Sequence, residues 1–248
     1  HRDYGELDIT GVLTKSSNVA VSKLSFKLGG EKLWNFYQKV GLGKPVGLGL
    51  PGENGGKVAV ESNNWNRLQS ATLSYGYGLA VTPLQLAQAY QVLANGGIKQ
   101  SLTLIRRDPQ SGTRVMPESV ANDVVAMLKS VVGPKGTARR AHVEGYPVAG
   151  KTGTVHKVGV NGYEDERYLS LFAGIAPADN PQIVTIVVID EPNGREYYGG
   201  EADAKTYAEK PFGTHIKTSE KMKVYLESDD ELINTEAKVK YIDQMLYF

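Results

Sequence analysis

A chain of 248 residues, 41% hydrophobic and 22% charged, is long and apolar enough to build a core, which excludes disorder over most of its length. A net charge of +1 leaves no whole-chain footprint for nucleic acid or a membrane surface, and the absence of cysteine excludes disulfides, thiolate metal sites and thiol nucleophiles. No apolar run reaches the ~18 residues a membrane span needs. His1 stands where an initiator methionine would and no signal-peptide pattern follows, so the expectation is a fragment or processed product with any anchor upstream.

Thr10 to Phe26 reads as two helical pieces around the polar interruption Lys15-Ser16-Ser17-Asn18. Glu31 to Val40 has Leu33, Trp34, Phe36, Tyr37 and Val40 near helical spacing, and Gly41 stops it as a left-handed cap. Residues 41–56 are rich in glycine, with Pro45 and Pro51, and read as loop; a second loop follows through Asn63, Asn64 and Asn66. Ser74 to Gly78 is a turn segment bearing Tyr75 and Tyr77. Thr82-Pro83 opens a helix whose expected buried side is Leu84, Leu86, Ala87, Tyr90, Leu93 and Ala94, ended by Asn95-Gly96-Gly97.

Pro117 to Val132 is a further helix, with Val120, Val124, Met127, Leu128 and Val131 as its apolar positions. Beyond Gly133 to Gly136 the period changes from helix to strand, and Arg139-Arg140 reads as a solvated turn. Three strands are predicted: Tyr146–Val155, Tyr168–Ala176 and Gln182–Ile189. Asn161-Gly162 marks a longer loop between the first two, and Ala178 to Pro181 a short hairpin connection between the others. A helical block followed by strands argues for an α+β fold, a helical block packed on an antiparallel sheet.

Two segments could carry chemistry. In Gly150-Lys151-Thr152-Gly153-Thr154 strand alternation sends Lys151 and Gly153 one way and Thr152 and Thr154 the other. An edge strand can pair with an extended peptide, Gly153 permits close approach, and an ammonium with hydroxyls suits a carboxylate. Taken alone, this is equally a surface strand with an exposed lysine. Ser16-Ser17-Asn18 offers a proton-relaying hydroxyl and a two-sided amide. Taken alone, it is better read as capping between helices. His142, His156 and His215 have no second ligand at metal spacing, and structural or surface roles are expected for them.

Together, Ser-x-Asn in a helical block followed by Lys-Thr-Gly on a strand resembles two of the three elements of the serine acyl-transferases that include penicillin-binding proteins and β-lactamases. Thr10 to Ala20, Val40 to Gly43, Ser74 to Gly78 with Val81 to Ala87, Phe172 to Pro177, and Tyr197-Tyr198-Gly199-Gly200 resemble class B penicillin-binding proteins of the cell-division (FtsI) type, in family order, over roughly residues 1–200.

The resemblance implies the penicillin-binding transpeptidase and serine β-lactamase-like fold. It implies a peptidoglycan D,D-transpeptidase that cross-links stem peptides during septal wall synthesis through an acyl-enzyme. By the same resemblance Ser16 shuttles protons, Lys151 tunes the field around it, and Asn18 binds the acyl side-chain amide. Thr152 and Thr154 bind the substrate carboxylate beside Gly153, the Thr154 N–H joins an oxyanion hole, and Tyr197 and Tyr198 wall the cleft. For Tyr75 and Tyr77 a packing role is at least as well supported as substrate contact. The expected partners are stem peptide, β-lactam antibiotics and cell-division proteins, not nucleic acid; the expected location is the periplasmic face of the bacterial inner membrane. No metal or organic cofactor is implied.

The chain departs from the family in two places. No serine has a lysine three residues later, so the family's Ser-x-x-Lys nucleophile is absent and is expected upstream of His1. Residues 201–248 do not read like the family's last strand and helix. Thr214–Ile216 and Lys221–Glu227 alternate like strands. Ser228 reads as an N-cap for a helix with Leu232, Ile233, Ala237, Tyr241, Met245 and Phe248 on one face. Three origins compete for this tail: a divergent end of the domain, an unrelated fused segment, or a relocated piece of the family. The domain expectation is therefore 1–200 transpeptidase-like and 201–248 of open origin. The alternatives to a transpeptidase are a catalytically empty penicillin-fold binding module and a serine β-lactamase.

Overall fold

A computed structural model describes residues 4–58, 66–105, 108, 110–159, 162–191 and 244–247. Helix boundaries in it follow from capping chemistry. α1 (Ile9–Lys15) opens on Asp8, whose carboxylate accepts the Gly11 N–H at 2.6 Å, and α2 (Asn18–Leu28) opens on Ser17, whose hydroxyl accepts the Ala20 N–H. The polar interruption between them is only Ser16-Ser17; Lys15 and Asn18 belong to the flanking helices.

α3 (Gly30–Val40) ends at Gly41, in the left-handed region at φ 102°, as expected. A Cβ at Gly41 would also meet Gln88 Oε1 at 2.3 Å, so the position requires glycine twice over. The two-residue strand β1 (Lys57–Val58) pairs antiparallel with β2 (Leu79–Ala80). Between them lies α4 (Arg67–Ser74), a helix that falls between the expected loop through Asn66 and the turn segment from Ser74. It is nucleated by a reciprocal capping box between Asn66 and Gln69, a signal hidden by the polar run that precedes it.

α5 (Pro83–Ala94) has the expected start, with a second capping box between Thr82 and Gln85. Its buried side is broader than the apolar pattern suggests. Gln85, Gln88 and Gln91 are buried alongside Leu84, Ala87 and Val92, while Leu86, Tyr90, Leu93 and Ala94 are half-buried. The glutamines serve loop backbone that passes beneath the helix: Gln85 Nε2 donates to the Lys44 and Gly55 carbonyls at 2.8 and 2.7 Å. β3 (Ile98–Lys99) and β4 (Thr113–Arg114) then form a small antiparallel pair.

α6 (Glu118–Val132) buries Ala121, Val125, Leu128, Val131 and Val132. Val120, expected inside, is exposed, because the small Ala121 is the residue that packs against Val92 and Met116.

The main sheet has the order β5-β6-β7-β8, all antiparallel, with β5 (Ala149–Gly159), β6 (Gly162–Ala176), β7 (Ile183–Asp190) and β8 (Gln244–Tyr247). β5 starts later than predicted; Tyr146 instead makes an isolated bridge with Val143. β5 and β6 run on through an irregularity near His156 to the pair Gly159↔Gly162, so ladder pairing occupies much of the predicted loop. β8 overturns the helical reading at the chain end: Met245 pairs opposite Thr185 in a strand. The tail strands expected at 214–216 and 221–227, and the helix from Ser228 as far as 243, lie outside the described residues, as do Tyr197 and Tyr198.

Register decides what each sheet face meets. Ala149 lies opposite Ile175, Lys151 opposite Ala173, Ala173 opposite Ile186 and Ile175 opposite Val184. These apolar residues share one core with Leu84 and Ala87 of α5 and Val125 and Leu128 of α6. Lys151 therefore stands on the face that packs against the helices, at the edge of the sheet.

Candidate active site

The turn between α1 and α2 separates two jobs that the serines could share. Ser17 is the cap. Ser16 holds a left-handed conformation, φ 52° and ψ 49°, and its N–H closes α1 by donating to the Leu13 carbonyl. A non-glycine residue there costs roughly 1–2 kcal/mol, and the result is that the Ser16 hydroxyl leaves both helices. It accepts a hydrogen bond from Lys151 Nζ at 2.8 Å, joining residues 135 positions apart. The alternative reading of this segment as capping alone thus applies to Ser17 and not to Ser16.

Lys151 donates also to the Thr152 carbonyl at 2.9 Å. Burial at the mouth of the helical block lowers its pKa to about 8. At neutral pH the ammonium form predominates, with a readily lost proton. The turn is braced from behind: Thr14 and Ser130 share a hydrogen bond between α1 and α6, and Lys15 Nζ donates to the Lys135 carbonyl at 3.0 Å.

β5 is at the edge of the sheet among the described residues, so its outer backbone is placed to pair with an extended chain. Thr152 Oγ1 is 2.8 Å from Thr137 Oγ1. Gly153 has a nearer reason to lack a side chain than ligand approach: a Cβ there would meet the Leu171 side chain at 3.0–3.2 Å. Thr154 lies one alternation beyond Thr152, opposite Ser170.

Asn18 opens α2 and is exposed. Together with Val19, Ser22, Thr72, Tyr75 and Tyr77 it lines an open cleft of about 600 Å³. Tyr75 and Tyr77 meet edge to face, ring centres 5.7 Å apart. The sequence reading left these two rings undecided between packing and contact; the fold puts them on the cleft wall with Asn18. Their signal was the glycine on either side of Tyr77, which makes a turn rather than a core helix of that segment. The structure thus brings Ser16 to Lys151 and sets Thr152, Gly153 and Thr154 on the same edge strand. Among the described residues, no group of three or more histidine, aspartate or glutamate side chains is placed to hold a metal ion, and no helix is long and apolar enough to cross a membrane.

Comparison with known proteins follows the same outline. A family model described as the penicillin binding protein transpeptidase domain matches residues 1–210. A second, described as the recombination, repair and ssDNA binding protein UvsY, matches residues 190–248. The peptidoglycan D,D-transpeptidase FtsI of Escherichia coli strain K12 is 44% identical over 205 residues, which is 82% of this chain and 35% of that protein. The probable peptidoglycan D,D-transpeptidase PenA of Neisseria gonorrhoeae is 42% identical, over 79% of this chain and 34% of that protein. The chain thus spans about a third of the length of these curated relatives. Among solved structures, the apo transpeptidase domain of Burkholderia pseudomallei penicillin-binding protein 3 superposes with a TM-score of 0.77 at 39% identity, covering 83% of this chain and 62% of that one. Penicillin-binding protein 3 of Mycobacterium tuberculosis, complexed with aztreonam, gives a TM-score of 0.72 at 31% identity, covering 86% and 55%.

Proposed function

Because the chain belongs to the penicillin-binding protein transpeptidase domain family, we propose that it supplies the proton-relay and substrate-strand part of a septal peptidoglycan D,D-transpeptidase. The observation that carries the reading is the 2.8 Å hydrogen bond from Lys151 to Ser16, made beside an edge strand. In this reading the D-Ala-D-Ala end of a stem peptide lies along β5, the amide between its two D-alanines is cleaved as it acylates a serine, and the terminal D-alanine leaves. An amine from a neighbouring stem peptide then releases the acyl group.

Lys151 and Ser16 pass a proton between nucleophile and leaving group. A lysine that titrates near 8 suits that work better than one at 10.5. Thr152 and Thr154 take the terminal carboxylate, Asn18 the amide of the acyl side chain, and the Thr154 N–H the developing oxyanion. Tyr75 and Tyr77 join the proposed wall with Tyr197 and Tyr198. The nucleophile is a serine of a Ser-x-x-Lys helix supplied from outside these 248 residues.

β-lactams act at the same place as acylating mimics, a reading supported by the aztreonam complex of the M. tuberculosis relative. The proposed setting is the periplasmic face of the inner membrane, in company with cell-division proteins. We assign residues 1–200 to the transpeptidase unit and take 201–248 as a segment of separate origin that lends β8 to that unit's sheet. The second family match, to residues 190–248, supports that division.

A fluorescent penicillin tests the function. A longer version carrying the Ser-x-x-Lys helix should form a covalent adduct on that serine, seen by mass. Lys151→Ala and Ser16→Ala should each slow acylation by roughly 10²-fold or more, the range of a lost proton-transfer group. Parent-rate acylation in both variants would remove the roles assigned here. No adduct in the longer version would favour the empty binding module, and rapid turnover of free penicillin would favour a β-lactamase.

A further inference from the structure

The turn between α6 and β5 carries a side chain that the roles above leave unused. Thr137 Oγ1 lies 2.8 Å from Thr152 Oγ1, and the backbone that holds Thr137 is tightly fixed. Gly136 packs so closely on the end of α6 that a Cβ there would sit 1.9 Å from the Val131 carbonyl oxygen. The Ala138 N–H donates to that same oxygen at 2.9 Å, and Ala138 is fully buried. From the other side Lys15 grips the Lys135 carbonyl. One short turn therefore touches both the helix that leads into Ser16 and the strand that carries Thr152.

A threonine hydroxyl has one proton to give. If Thr152 donates to Thr137, it presents only lone pairs to an incoming carboxylate. If Thr137 donates, Thr152 keeps its proton for the anion, and the two hydroxyls polarise in one direction. We propose that Thr137 is a positioning residue for carboxylate recognition: by donating to Thr152 Oγ1 it holds the Thr152 rotamer and aims its O–H at the C-terminal carboxylate of the peptide. The inference rests on the functional reading above. Thr137 acts through Thr152 and does not itself touch the reacting atoms.

The test is an NMR titration of the 248-residue chain with N-acetyl-D-alanyl-D-alanine and with its C-terminal amide. The parent should prefer the acid. Thr137→Val should weaken acid binding about tenfold, as loss of one hydrogen bond to a charged system does, and leave the amide unchanged. Thr137→Ser should restore the preference for the acid. In a Thr152→Val background, Thr137→Val should have no further effect, because the two hydroxyls act as a unit. Parent-like acid binding by Thr137→Val overturns the proposal, and so does an equal loss for acid and amide, which would mark a purely structural role. A parent that binds acid and amide alike brings down the reading of the site and this proposal with it, so the two failures are distinct. Thermal melts check folding, and if Thr137→Val does not fold, Thr137→Ala carries the same comparison.

Discussion

Lys151 brings a charge to a place that resists it, and its pH behaviour should report that. Burial lowers its pKa from 10.5 to about 8. Below about pH 8 the amine is charged in both folded and unfolded chains, and the folded state bears the full cost. Between about 8 and 10.5 the unfolded chain binds more protons, so stability rises with pH across that window. The size of the shift sets a ceiling of about 3 kcal/mol. Denaturant unfolding of the parent and of Lys151→Met at pH 7 and pH 10 measures it. The parent should gain on the variant at the higher pH, and an unchanged gap would mean that Lys151 is not desolvated. Much of this site was legible, because Ser16, Asn18 and the Lys151 to Thr154 run each sit in a short motif. The partnership of Thr137 with Thr152 was not: nothing in residues 133–138 but a glycine-rich turn marks a hydroxyl that meets a strand 15 positions on.

At the scale of elements, α5 shows why polarity along a helix misleads. Three glutamines at i, i+3 and i+6 are buried because they satisfy backbone groups of the loops packed below. Gln85 is the strongest case. Its amide serves the Lys44 and Gly55 carbonyls, and its oxygen takes the Thr82 N–H that opens the same helix. Gln85→Leu keeps the volume but strands three backbone groups, so it should cost about 3 kcal/mol, read as a lower urea midpoint. Thr82→Ala removes only the other half of the capping box and should cost about 1 kcal/mol. If Gln85→Leu were as mild as Thr82→Ala, the loop over residues 44–55 would not depend on α5. The α5 start was readable from Thr82-Pro83, and the α3 stop from Gly41, because capping is local. The inward face of α6 was readable in part: Leu128 and Val131 are buried as expected, while the burial of the small Ala121 comes from its packing with Val92 and Met116 of other segments.

At the scale of the whole molecule, the three-strand run β5-β6-β7 was visible because each strand pairs with its neighbour in sequence. β8 pairs with β7 across more than fifty residues, a contact no local pattern announces, so the helical spacing in which Met245 takes part gave no sign of its strand. The pairing has a consequence. β7 reads Ile-Val-Thr-Ile-Val-Val-Ile-Asp, and its first four residues are covered on the outer side by Gln244–Tyr247. A chain ending at Glu191 would bare that ladder, which is apolar, free of proline and uncharged until Asp190. Such an edge templates pairing with a second chain. Light scattering after size exclusion should therefore show the 1–191 chain associating as its concentration rises, while the 248-residue chain stays monomeric. A shortened chain that remains monomeric at every concentration would mean that β8 is not what protects this edge.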